Sequence, residues 1–188
     1  MNPRDEECLD DPERLKRLAA LDAKVTGEQR AIMTERTKWG PGPWQNEPDR
    51  DEWKTAAGLP GLALRGSFGN WCGYVAVPPG HLAHGQPYDS FRVSVHGGLT
   101  YANACQGEIC HVPAPGEPDN VYWFGFDCGH YQDVKPGMDA LLRTRGIERP
   151  AMIYTYRTLE YVRAEVEDLA AQLVALTAED IEATGGAR

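Results

Sequence analysis

Six apolar residues near the C-terminus, Leu159, Val162, Val166, Leu169, Leu173 and Leu176, recur at spacings of three and four. That period predicts a helix from about Thr158 to Leu176 with a single apolar seam. Glu160, Glu165, Glu167 and Asp168 flank the seam and keep the remaining surface polar. Such a helix needs an apolar layer to cover it. The seam is shorter than three heptads, too short to favour an intermolecular coiled coil. Its partner is therefore expected within the chain, either a sheet or the N-terminal helix.

Three segments suit the sheet. "WCGYVAV" (71–77), "FRVSV" (91–95) and "VYWFGF" (121–126) are rich in β-branched and aromatic residues and bounded by Gly and Pro. Residues 11–36 read as helical, with Asp11 as cap and Pro12 and Glu13 in the first turn. Gly27 interrupts that helix and "EQRAIMTERTKW" resumes it. "WGPGPWQNEP" (39–48) reads as a loop pinned by Trp39 and Trp44, and 49–57 as a short helix around Trp53. The expected class is α+β: a small antiparallel-type sheet flanked by an N-terminal helix and a long C-terminal helix. An N-terminal helical region (1–57) and a central sheet domain with its helix (58–188) are expected to form one unit.

At 188 residues the chain can bury roughly 70% of its unfolded surface without help from a disulfide or a metal. No apolar run approaches the ~20 residues of a membrane span. The start, "MNPRDEECLDDPER", is too charged for a signal peptide, so a cytoplasmic protein is expected. Five cysteines then read as reduced thiols, with a local Cys105–Cys110 disulfide as the alternative. A net charge of −9 argues against general nucleic-acid binding. Between Gly66 and Asp133 the one basic residue is Arg92, against six acids, and all five histidines lie there. Residues 135–157 reverse the sign, with Lys135, Arg143, Arg145, Arg149 and Arg157 against Asp139 and Glu148.

Chemistry concentrates at two corners. "SVHGGLT" ends a presumed strand at His96 and breaks it with Gly97-Gly98. "FGFDCGHYQD" ends another at Asp127 and turns at Gly129 toward His130 and Asp133. If these strand ends are neighbours, His96, Asp127, His130 and Asp133 offer two imidazoles and two carboxylates. Such a set suits Zn, Mn or Fe with open positions for water, which a metal would activate as a nucleophile. The competing reading is that the aspartates cap turns, His96 caps its own turn and His130 satisfies a buried carbonyl. A zinc-finger reading would use Cys105, Cys110 and His111 with Cys128 or His130. A thiol nucleophile would be Cys72 or Cys128 with His96 or His130 as base, though buried inert cysteines fit both positions better. The basic segment 135–157 reads either as a clamp for an anionic group or as a solvated loop. No Walker loop, Gly-x-Gly-x-x-Gly or Gly-x-Ser-x-Gly occurs.

"NWCGYVAVPPGHLAHG", "VHGGLTYA", "ICHVPAPGEPDNVYWFGFDCGHYQD" and "TLEYVRAEVEDLAAQL" together resemble a family of small uncharacterised proteins from phages and bacteria. The family pattern is a His-Gly-Gly-Leu/Ile-Thr strand end, then a tryptophan-rich strand closing in Gly-Phe-Asp-Cys/Thr-Ala-His-x-x-Asp, then a helix near Glu-Tyr-Val-x-x-Glu. The resemblance spans about residues 70–176, and Gly129 stands where the family has alanine. It implies that His96, Asp127, His130 and Asp133 belong together, adds Glu160 and Glu165, and implies a phage accessory role. It supplies no reaction.

The functional expectation has two forms. In the first, His96, Asp127, His130 and Asp133 hold a divalent metal, and His96 or Asp133 moves protons during hydrolysis of a small phosphate-bearing ligand. Arg92, Thr100, Arg143 and Arg145 are then the candidates for holding that ligand. In the second, the same pocket sequesters a nucleotide-like ligand, or the surface engages a host protein, without turnover. Oligomerisation through the 159–176 seam is a third role.

Overall fold

The computed structural model describes residues 26–150 and 153–185. The part of the expected N-terminal helix before Thr26 lies outside the described residues. Its second part is α1 (Gly27–Thr34), where Thr26 and Gln29 cap each other reciprocally. Five strands follow: β1 (Arg50–Lys54), β2 (Pro60–Arg65), β3 (Trp71–Val77), β4 (Tyr101–Ala104) and β5 (Tyr122–Asp127). Then come α2 (Pro136–Thr144), α3 (Leu159–Val174) and α4 (Ala178–Gly185). The strands form one antiparallel sheet in the order β1-β2-β3-β5-β4. The architecture is α+β, and no described helix is long and apolar enough to cross a membrane.

The C-terminal seam lies on the sheet. Val162, Val166, Leu169 and Leu173 are fully buried against Val75, Val77, Phe124 and Phe126, with Thr158 capping the first turn of α3. The polar flank of α3 is tied to the edge strand. Glu167 accepts from Trp53 Nε1 and from the Ala56 N–H, and Arg163 pairs with Asp51 at 2.6 Å. Residues 49–57 are therefore a correction: they form β1 and its turn, because Arg50 to Lys54 pair with β2 and Trp53 packs toward α3.

The opposite face of the sheet carries a second core of Leu62, Leu64, Tyr74, Ala76 and Trp123. Gly125 allows the Tyr74 ring to lie flat on β5; a Cβ there would come within 2.3 Å of it. The chain leaving β4 covers this face. Arg50, on the other edge strand, donates to the carbonyls of Glu108 and Cys110, each at 2.6 Å. Lys54 pairs with Glu117 at 2.9 Å. One edge strand is thus fastened to the segment leaving the other. Cys105 and Cys110 are joined in a disulfide, which corrects the expectation of reduced thiols at these positions and removes the zinc-finger reading.

Two further expectations change. "FRVSV" joins no ladder. Its backbone partners come from α3: the Gln172 side chain accepts from the Ser94 N–H at 2.6 Å and donates to the Ser94 carbonyl at 2.8 Å. The side-chain amide takes the place of a neighbouring strand. The basic segment is also structured in part, since residues 136–144 form α2 with Ala140 and Leu141 buried.

Candidate functional site

Asp133 is the centre of the cluster, with 1% of its surface exposed. A tight turn places it, with its own N–H bonded to the His130 carbonyl. Beside it runs the chain entering α3: the Val134 N–H donates to the Thr155 carbonyl, and the Thr155 N–H to that of Gln132, both at 2.9 Å. This pairing brings Arg157 to the carboxylate, where its Nε lies 2.9 Å from Oδ1. The other oxygen, Oδ2, accepts from His96 Nε2 at 2.8 Å and from the His130 N–H at 3.0 Å. Burial alone would raise the Asp133 pKa. The hydrogen bonds from His96 and Arg157 outweigh it and hold the carboxyl below its usual range.

His96 sits between two partners. An ionised Asp133 only accepts, so Nε2 carries the ring hydrogen. In the neutral ring Nδ1 is then an acceptor, and the Tyr161 hydroxyl lies 3.0 Å from it. Glu165 accepts from the His96 backbone N–H at 2.8 Å and also bonds the Tyr161 hydroxyl. Burial, then that carboxylate, pushes the Tyr161 phenol up to about 12. If the ring gains a proton, Nδ1–H donates to the phenol oxygen and the phenol donates to Glu165. The row Asp133–His96–Tyr161–Glu165 therefore keeps each proton partnered in both charge states of the imidazole. Arg157 also covers the Tyr161 ring, its guanidinium 4.9 Å from the centroid.

His130 stacks at a tilt against His96, with ring centroids 5.4 Å apart. Its Nε2 is buried without a hydrogen-bonding partner and rests on Gly97. Gly97 and Gly98 have φ of 68° and 86°, and a Cβ on Gly97 would fall 1.7 Å from that nitrogen. Gly97→Ala is accordingly expected to cost about 2 kcal/mol or more, from the left-handed backbone and the displaced imidazole. Thermal denaturation checks this, and Gly98→Ala, which meets no atom within 4 Å, is expected to cost less.

Of the residues expected from sequence, the structure brings together His96, His130 and Asp133. Asp127 is used elsewhere: Oδ1 accepts from the Gly129 N–H at 2.9 Å and Oδ2 from Thr100 at 3.2 Å, as a turn-capping aspartate does. Among the described residues no group of three or more His, Cys, Asp and Glu side chains is placed to hold a metal ion. Asp133 already accepts from an arginine, an imidazole and a backbone amide. Arg143 donates to the Trp39 carbonyl at 2.6 Å, while Arg92 and Arg145 are exposed. The cation of the basic segment that reaches Asp133 is Arg157. Burial pushes the Cys72 thiol up to about 11 and the Cys128 thiol higher still, so neither is an activated thiolate.

No protein-family model, curated protein or solved structure matches the chain.

Sequence reasoning missed Tyr161 and the role of Arg157. The available signal was the pair Tyr161 and Glu165, four apart and therefore on one face of a helix that had already been recognised.

A second, half-buried polar hub lies at the same end of the sheet, where β2 ends and β3 begins. Glu47 accepts from Arg65, Trp71 Nε1, the Tyr156 hydroxyl and the Leu159 N–H at the start of α3. The Arg65 guanidinium is sandwiched between Trp71 at 4.3 Å and Trp39 at 6.0 Å. Its saturation with internal partners marks it as a structural fastener.

Proposed function

We propose that His96, oriented by Asp133 and capped by Tyr161, is a general acid–base centre for hydrolysis of a small phosphate-bearing ligand. The observation that carries this reading is the two-sided hydrogen bonding of His96, between a buried ionised carboxylate and a phenol. A carboxylate on one nitrogen fixes the tautomer and stabilises the imidazolium that forms when the ring takes a proton. The proton of an attacking water would pass through the Tyr161 hydroxyl to Nδ1. The side chain of Arg157 is 28% exposed and that of His96 12%, so the cation and the ring edge reach solvent above the sealed Asp133. Arg157 would orient the phosphate.

Burial of Asp133 and the enclosed His130 nitrogen favour a second reading, in which the pocket holds an anion without turning it over. One experiment separates the two. The His96 ring resonances are followed by NMR while p-nitrophenyl phosphate, AMP and inorganic phosphate are added, and released phosphate is assayed. Turnover that falls on the order of 10²-fold in Tyr161→Phe, with little change in thermal stability, supports the acid–base reading. Saturable shifts without product support the binder. No shift at His96 and no product with any probe would sink both.

A further inference from the structure

Where the covering segment passes the edge of β1, two cavities of about 180 and 140 Å³ lie side by side. They share Pro60, His111 and Glu117. Trp53 lines the first, and Leu59, Pro78, Pro118 and Val121 line the second. None of these residues belongs to the His96 cluster. His111 lies against Trp123 with ring centroids 5.7 Å apart, and its Nδ1 is buried without a hydrogen-bonding partner. A buried ring nitrogen left unpaired is costly, and a ligand hydroxyl would recover that cost. Lys54 and Glu117, both on the lining of the first cavity, pair at 2.9 Å through exposed side chains. Fastening by side chains lets the mouth open without breaking a strand ladder.

We infer that this cleft is a binding site for a single-ring hydroxyaromatic molecule, its ring against the prolines and Leu59 and its hydroxyl on His111 Nδ1. The size agrees: an apolar cavity of roughly 150 Å³ admits a benzene-sized ring. The chemistry agrees as well, since the second cavity is walled mainly by Leu59, Pro60, Pro78, Pro118 and Val121 with His111 and Glu117 as its polar side chains, a lining that selects an apolar body with a polar end. A phosphate-bearing ligand does not suit the cleft, because Glu52 and Glu117 outnumber the single cation of its lining, Lys54, which is already paired with Glu117. This site is independent of the reading given for His96.

The test uses the full chain with phenol and with fluorobenzene, which is similar in size but has no hydroxyl. Binding is followed by amide and imidazole NMR shifts. Phenol is expected to shift Gly58, Leu59, His111 and Val121 saturably and to bind about tenfold tighter than fluorobenzene. In His111→Phe that preference is expected to vanish while fluorobenzene still binds. Saturation absent with both probes in the native chain would overturn the proposal. So would shifts confined to His96 and Tyr161, or a phenol preference that survives in His111→Phe. If His111→Phe does not fold, His111→Gln serves, since its side-chain oxygen restores an acceptor and is expected to keep part of the preference; complete loss there also counts against the proposal.

Discussion

Asp133→Ala is expected to lower the free energy of unfolding by about 3 kcal/mol. The carboxylate satisfies three donors at once: the His96 ring, the His130 N–H and Arg157. Removing it leaves the first two buried donors unpaired, at about 1–3 kcal/mol each before relaxation. Arg157 is partly exposed and can turn to water, so its share is small. Asp133→Asn separates packing from charge. An amide keeps the volume but presents an N–H₂ group to one of the donors. Facing His96, it would make Nε2 the acceptor and move the ring hydrogen to Nδ1. Imidazole ¹⁵N shifts distinguish the tautomers, and an unchanged Nε2–H tautomer in Asp133→Asn would show that Asp133 does not set it. Urea denaturation measures the alanine variant, and a loss below about 1 kcal/mol would show that the cluster is not the fastener described.

The same carboxylate has a pH signature. Its folded pKa lies below the ordinary value, so the unfolded chain binds the proton more readily. The stabilisation is fully present above the unfolded pKa of about 4 and is lost as pH falls through the folded value. Glu47 behaves in the same way. Burial raises its pKa, but hydrogen bonds from Tyr156, Leu159, Arg65 and Trp71 outweigh that and bring it below the usual range. Both carboxylates therefore make the protein acid-labile below about pH 4, and each alanine variant flattens the acid limb of a stability–pH curve.

Local periodicity carried much of the fold. The α3 seam repeats over five intervals and needs no distant information, and β3 and β5 are continuous apolar runs. Strand β1 was hidden because "RDEWK" holds one apolar residue: an edge strand that is charged on its open side has no strand alternation to read. "FRVSV" shows the converse. Its alternation reports a buried face correctly, with Phe91, Val93 and Val95 on the core, but the ladder partner is a glutamine 78 residues away. Alternation says which side is buried, not what pairs with the backbone. At the site, His96, His130 and Asp133 were legible as polar residues beside glycine corners. Arg157 was not, because the pairing of Thr155 with Gln132 and Val134 sets its position, and Tyr161 was signalled only by its place one turn before Glu165 on α3. The cysteine pair was ambiguous for a different reason. A five-residue spacing permits a disulfide without requiring one, and the partner atoms had to be placed before it could be settled.

Glu47→Ala is expected to be costlier than any substitution at the His96 cluster, with a loss of about 4 kcal/mol. Glu47 is the acceptor for four donors drawn from a loop, two strands and the start of α3. The Arg65 side chain is only 3% exposed and lies under two tryptophan rings, so it cannot turn to water as Arg157 can. Its remaining carboxylate partner, Asp49, is 69% exposed and holds it weakly. The Leu159 N–H, one of the orphan donors at the start of α3, also loses its acceptor. At this chain length the loss corresponds to a fall in Tm of roughly 10 °C. Glu47→Gln keeps one acceptor oxygen and is expected to recover part of it. The decisive comparison is Glu47→Ala with Arg65→Leu, which removes both the acceptor and the stranded guanidinium. If the cost lies in an uncompensated buried cation, the double variant is more stable than the additive expectation by 1 kcal/mol or more, about the coupling found for contacting charged pairs. Strict additivity would mean that Arg65 is held without Glu47, by the tryptophans, Asp49, Tyr156 and the Pro48 and Gly69 carbonyls, and that Glu47 acts through Trp71, Tyr156 and the start of α3.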